Sequence, residues 1–93
     1  MDDLTAFQRD ALYVIAGLEE PNGLEIKTEL EEYYTQEINH GRLYPNLDTL
    51  ADKGLVRKGA HDDRTNAYAL TERGQREIDA RHDWEAEYVS LSE

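Results

Sequence analysis

The chain has 93 residues, no cysteine, 10 Lys and Arg against 21 Asp and Glu, and a formal net charge of −11. That length allows one domain with a marginal core, which a small helical fold often completes by burying an apolar helix face against a second copy. A disulfide framework, a thiolate metal site and thiol redox chemistry are excluded; no run approaches the roughly 20 apolar residues of a membrane span and the start MDDLTAF does not read as a signal peptide, so a soluble, cytoplasmic protein is expected.

A first helix is predicted over about 5–18, capped by Asp3 or Thr5, with Leu4, Phe7, Ala11, Val14, Ile15 and Leu18 forming one apolar stripe. Glu20-Pro21-Asn22-Gly23 ends it with turn chemistry. A second helix follows over about 24–34, with Ile26, Leu30, Tyr33 and Tyr34 on its buried side and Glu25, Lys27, Glu29, Glu31 and Glu32 toward water. Residues 35–38 read as a short irregular turn. Asn39 caps a third helix reaching about Lys53, whose Leu43, Leu47 and Leu50 face the core. A proline inside a settled helix costs about 3 kcal/mol, so Pro45 places the regular part of that helix from about Tyr44 onward. Gly54 fits the left-handed position that ends it. Strands over 55–59 and 66–70 flank a polar tip, with Tyr68 and Leu70 on one face. Thr71 caps a last helix over about 71–91, lined on one side by Ile78, Arg81, Trp84, Tyr88 and Leu91.

Helix, helix, helix, strand, strand, helix is the order of a winged helix-turn-helix. The expected fold is therefore mainly α with a small β-wing: three helices, a two-stranded antiparallel hairpin and an added C-terminal dimerisation helix. Residues 1–70 would form the DNA-binding part and 71–93 the dimerisation helix, within one compact domain.

Charge is distributed unevenly along this order. Residues 1–38 carry a net −8 and residues 77–93 a net −5, whereas residues 39–76, which hold the third helix and the hairpin, carry +2. The sign of that middle segment suits an anionic partner. Only three of the ten basic residues are Lys. An acid-heavy, Lys-poor surface fits a protein of a salt-rich cytoplasm; an ordinary acidic protein is the alternative.

Gly41, Leu43, Tyr44, Pro45, Leu47, Leu50, Gly54, Leu55 and Val56, followed by Arg64-Thr65, Tyr68, Leu70, Thr71 and Gly74, resemble the recognition helix and wing of the PadR-like transcriptional regulators. Gly23, Glu25 and Ile26 are similar to that family's entry into the second helix. The resemblance implies a dimeric winged-helix repressor. It is closest to the short type, with one C-terminal helix, and to the acidic haloarchaeal branch. Asp62 and Asp63 at the tip depart from the Lys- and Arg-rich wings of many relatives.

In a helix-turn-helix the N-terminal part of the recognition helix reaches base edges in the major groove. The candidates are Asn39, His40, Arg42, Asn46 and Thr49. Arg42 can offer its fork to guanine and Asn46 its amide to adenine, each good bidentate contact being worth about 1–3 kcal/mol of discrimination. Asn39 reads more readily as a pure helix cap, and Tyr44 either donates to a phosphate or packs against the second helix. On the flanks, Arg64 and Asn66 suit the minor groove or backbone, and one of Arg57 and Lys58 should reach the backbone. Arg64 has the alternative of pairing with Asp62 or Asp63, and Lys27 that of pairing with Glu31 rather than phosphate.

The last helix's stripe is expected to meet a second copy, through Ile78, Arg81, Trp84, Tyr88 and Leu91 together with Leu4, Phe7 and Ala11 of the first helix; folding back on its own first helix is the alternative. Double-stranded DNA and self are thus the expected partners, with no cofactor. His40, His61 and His82 lie in different elements without ligand spacing, so no metal is expected. Nothing reads as a phosphate loop or a nucleophile constellation, so an enzyme is not expected. The rival reading is a winged-helix protein-interaction or DNA-mimic module, favoured by net charge. A small-molecule effector would have only Trp84 and the tyrosines as lining.

Overall fold

A computed structural model describes residues 1–60 and 66–89. The chain runs α1 (Ala6–Gly17), α2 (Gly23–Tyr34), α3 (His40–Asp52), β1 (Val56–Ala60), β2 (Asn66–Leu70) and α4 (Glu72–Ala86). β1 and β2 pair antiparallel with Val56 opposite Leu70 and Ala60 opposite Asn66. This is the winged helix-turn-helix order with a fourth helix. Tip residues His61, Asp62, Asp63, Arg64 and Thr65, and Leu91 at the far end, lie outside the described residues.

Each helix starts where a side chain satisfies backbone N–H groups that have no helical partner. Thr5 and Gln8 form a reciprocal capping box at α1, and Asn22 and Glu25 form another at α2. Asn39 Oδ1 accepts from Arg42 N (2.8 Å), and Thr71 Oγ accepts from Gly74 N (3.0 Å). At the end of α3, Leu55 N donates to Leu50 O (3.0 Å) and Gly54 N to Ala51 O (2.9 Å), with Gly54 at φ +76°. That is the paired exit bond of a left-handed C′ glycine.

The core is one cluster. Leu12 and Ala11 of α1, Ile26 and Leu30 of α2, and Leu43, Leu47 and Leu50 of α3 are all fully buried, and Tyr68 of β2 and Ile78 of α4 close it. Glycine makes one junction possible: a Cβ on Gly74 would run into the Leu55 carbonyl oxygen and stand 2.7 Å from Leu70 Cδ1. The absent side chain lets α4 leave the hairpin at close range.

Three expectations are corrected. α3 is regular from His40, not from Tyr44, and carries Pro45 inside it. Proline removes the bond to the carbonyl four residues back and crowds that carbonyl, and Gly41, which carries it, is exposed where water can serve the group. The Asn39 cap and three buried leucines hold the helix. In β2, Tyr68 is buried and Leu70 half-buried on the expected face, and Ala67 on the other face is covered too, because the α1–α2 turn lies across it: Tyr68 N donates to Pro21 O (2.9 Å) and Asn22 bridges to Ala67. α4 ends at Ala86, so Tyr88 lies beyond it. Finally, Leu4, Phe7, Ala11 and Ile78, expected at a surface between two copies, are buried in the chain's own core. α4 touches α1 and β2, and Ile78 belongs to the core, so the proximal part of α4 does pack within its own chain.

Candidate nucleic-acid interface

α3 buries Leu43, Leu47 and Leu50, and its 3.6-residue period therefore turns Gly41 and Arg42 outward, while His40, on the leucine side, is exposed because it stands at the first position of the helix. The Arg42 guanidinium lies 4.1 Å above the Phe7 ring. Among the described residues it takes part in no hydrogen bond or ion pair, so its in-plane donors are unclaimed. Phe7 stacks in turn on Tyr34 (6.0 Å between centroids), whose hydroxyl donates to Asp10. Burial and that carboxylate push the Tyr34 phenol up to about 12.

Asn46 is not turned outward as an open amide. Its Oδ1 accepts from Gln8 Nε2 (2.9 Å) and its Nδ2 donates to Arg42 O (2.7 Å). The expected pairing with adenine would thus draw on an amide with one donor and one acceptor site already engaged: half-buried Asn46 ties α3 to α1. Thr49 Oγ donates to Pro45 O (3.0 Å) along its own helix. Asn39 is exposed and serves as the α3 cap.

Tyr44 packs against the start of α2, where a Cβ on Gly23 would stand 2.6 Å from its ring, and His40 meets it edge-on at 5.4 Å. Together with Asn22, Leu24, Asn66 and Tyr68 they line a cleft of about 260 Å³. The structure thus brings His40, Tyr44 and the hairpin residue Asn66 to one seam between α2, α3 and β2. Lys27 pairs with Glu31 (2.7 Å), whose second role is to accept Ile38 N (2.9 Å). That N–H first, and Lys27 after it, hold the Glu31 carboxyl below its usual range. On β1, Lys58 pairs with Asp48 of α3 (3.2 Å), which raises its ammonium pKa, while Arg57 is exposed. Arg64 is outside the described residues.

Gln8 was not among the sequence candidates, and Phe7 was one only for the dimer surface. Thr5-x-x-Gln8 is a capping-box pattern and marks Gln8 as a residue at the α1 entrance. Its second bond, to a residue 38 positions away, has no local signature.

At the other end, Trp84, Tyr88 and Val89 are exposed, and the Trp84 and Tyr88 rings stand 5.2 Å apart. Arg81 lies over the Trp84 ring (4.8 Å) and pairs with Glu85 (3.1 Å). Among the described residues no helix is long and apolar enough to cross a membrane.

Comparison with known proteins agrees with this arrangement. The family model described as the transcriptional regulator PadR-like family matches residues 11–80. A complex structure of hsRosR-S1 is 50% identical, with a TM-score of 0.92 over 98% of this chain and 80% of that one. RosR of H. salinarum, in a structure grown from NaBr, is 50% identical with a TM-score of 0.90 over 98% of this chain and 82% of that one. Bacillus subtilis PadR, solved in complex with operator DNA, is similar in fold: 23% identity and a TM-score of 0.67 over 96% of this chain and 52% of that one. No curated protein sequence matches. With the helix-turn-helix, the two-stranded wing and a family match spanning α1 to α4 in agreement, the chain belongs to the PadR-like family of winged-helix transcriptional regulators, not to an enzyme fold.

Proposed function

We propose that this protein is a sequence-specific DNA-binding repressor of a cytoplasm rich in salt, binding a pseudo-palindromic operator as a homodimer. α3 enters the major groove and the hairpin lies on the backbone or in the minor groove. The observation that carries this reading is the Arg42 fork, exposed at the start of α3 with its in-plane donors unclaimed among the described residues. Thr49 shares the groove side with it, Asn39, His40 and Tyr44 border it, and Asn66, Arg57 and Arg64 supply the wing's contacts. Lys27 and Lys58 reach phosphate only by leaving Glu31 and Asp48, a modest loss for surface pairs.

Two recognition helices on a dimer meet half-sites about 34–36 Å apart, one turn of B-DNA. RosR and PadR are relatives in fold, and the latter's operator complex supports the same docking here. A small-molecule effector is left as a minor proposal, with Trp84 and Tyr88 as its only aromatic lining at the exposed end.

Selection from random duplexes by the full chain in high KCl gives the preferred site, and fluorescence anisotropy measures affinity for it. Arg42→Ala is expected to cost about 1–3 kcal/mol of discrimination at one base pair. Affinity unchanged by Arg42→Ala would refute the docking. Each neutralised phosphate adds about −0.9 to the slope of log affinity against log salt. With a net charge of −11, cation uptake by the acidic flanks should flatten that slope; a slope of full magnitude up to multimolar KCl would refute the salt adaptation. Selection of no duplex at any salt would favour the protein-interaction reading.

A further inference from the structure

We infer that the adjacent α1 residues Phe7 and Gln8 are positioning residues for the recognition helix: Phe7 aims Arg42, and Gln8 draws Asn46 inward so that Asn46 sets the pose of α3 instead of reading a base. The inference rests on α3 being the DNA-reading helix.

Gln8 is a buried polar side chain at the third position of α1. Its Oε1 accepts from Thr5 N (3.1 Å), which leaves Nε2 to donate to Asn46 Oδ1 (2.9 Å). Asn46 then has Nδ2 for the Arg42 carbonyl (2.7 Å). Both ends of this chain are backbone groups of fixed character, a donor at Thr5 and an acceptor at Arg42. Reversing either amide would set donor against donor or oxygen against oxygen, so the chain has one sense. A network with one sense fixes geometry, because any rotation of α3 on α1 breaks it.

Phe7 acts on the preceding turn of α3. A guanidinium over an aromatic face is held by the ring's quadrupole through its flat side, while its N–H donors point outward in the plane. The platform is itself fixed by the stack on Tyr34, which Asp10 holds. Phe7 and Gln8 are consecutive on α1, and Arg42 and Asn46 are one turn apart on α3, so the two contacts form a two-point clamp.

The test measures affinity for the selected duplex and for a random duplex at a temperature where circular dichroism shows the fold intact. Gln8→Met and Asn46→Ala should each lower the ratio of the two affinities, by roughly threefold to tenfold, and the double variant should be no worse than either single one. Repeated selection with Asn46→Ala should weaken preference uniformly, whereas Phe7→Leu should weaken it at the same base pair as Arg42→Ala. A base pair whose preference is lost in Asn46→Ala but kept in Gln8→Met would make Asn46 a reader and overturn the inference. Unchanged ratios in Gln8→Met and Phe7→Leu would make both plain packing residues and also overturn it. If an α1 variant does not fold, the Asn46→Ala profile decides: uniform weakening supports the clamp, and loss at one base pair overturns it. Failure of the unaltered protein to select any duplex would instead overturn the DNA-binding reading, and this inference with it.

Discussion

Tyr34 joins a hydrogen bond, a stack and the support of Arg42 in one side chain. Its phenol is raised to about 12 from an ordinary 10.0, first by burial and then by Asp10. A raised folded pKa means the native state holds the proton more tightly, so the stabilisation is complete below pH 10 and is lost as pH rises toward 12. Urea midpoints should therefore fall more steeply over that window for the unaltered protein than for Tyr34→Phe. Identical slopes would exclude the assignment; burial also raises Tyr13 and Tyr68, so some decline persists in the variant. Gly74 makes a second residue-scale prediction. The carbonyl it approaches already accepts from Thr71 N (3.1 Å) and Thr71 Oγ (3.0 Å), so Leu55 has little room to shift. Gly74→Ala should cost about 1–3 kcal/mol by overpacking and lower Tm by on the order of 10 °C in a thermal melt. An unchanged Tm would mean the junction yields.

α3 shows how a local preference and a tertiary one compete within one element. Pro45 disfavours the helix by removing an N–H, and read alone it moves the start to Tyr44. Asn39 and the leucines act the other way: the cap satisfies Arg42 N, and Leu43, Leu47 and Leu50 are completely buried. Propensity amounts to a few kcal/mol over a helix, and burial of three leucines exceeds it at about 1.5–3 kcal/mol each. Asn39→Ala should destabilise the fold by about 1 kcal/mol, read as a lower urea midpoint, and fray the first turn that carries Arg42. A variant as stable as the parent would mean that water serves those N–H groups equally well. The caps at Thr5, Asn39 and Thr71 and the Gly54 exit were legible because each depends on residues within three or four positions. The embedded proline was not, because the burial that outweighs it comes from other helices.

For the whole molecule, α4 and the residues that follow it divide into two parts. Ile78 closes the chain's own core, whereas Trp84, Tyr88 and Val89 stay exposed. If those residues form the proposed dimer, Trp84→Ala should shift the protein toward monomer by light scattering and lower operator affinity in parallel; a variant that remains dimeric would put the interface elsewhere. The charge distribution operates at this scale too. A net −8 over residues 1–38 and −5 over 77–93 surround a segment of +2, so repulsion from DNA is expected everywhere except where α3 and the hairpin lie. The sequence by itself determined the element order, the caps at Asn39 and Thr71, the Gly54 exit, the leucine stripe of α3 and that charge pattern, because periodicity, capping and net charge act over a few residues or over none. Only the tertiary structure decided that Gln8 grips Asn46, that Arg42 rests on Phe7, and that Leu4, Phe7 and Ala11 face inward. Those pairings join residues 35 or more positions apart on helices whose rotation about one another no local pattern encodes, and shape-matched packing sets that rotation.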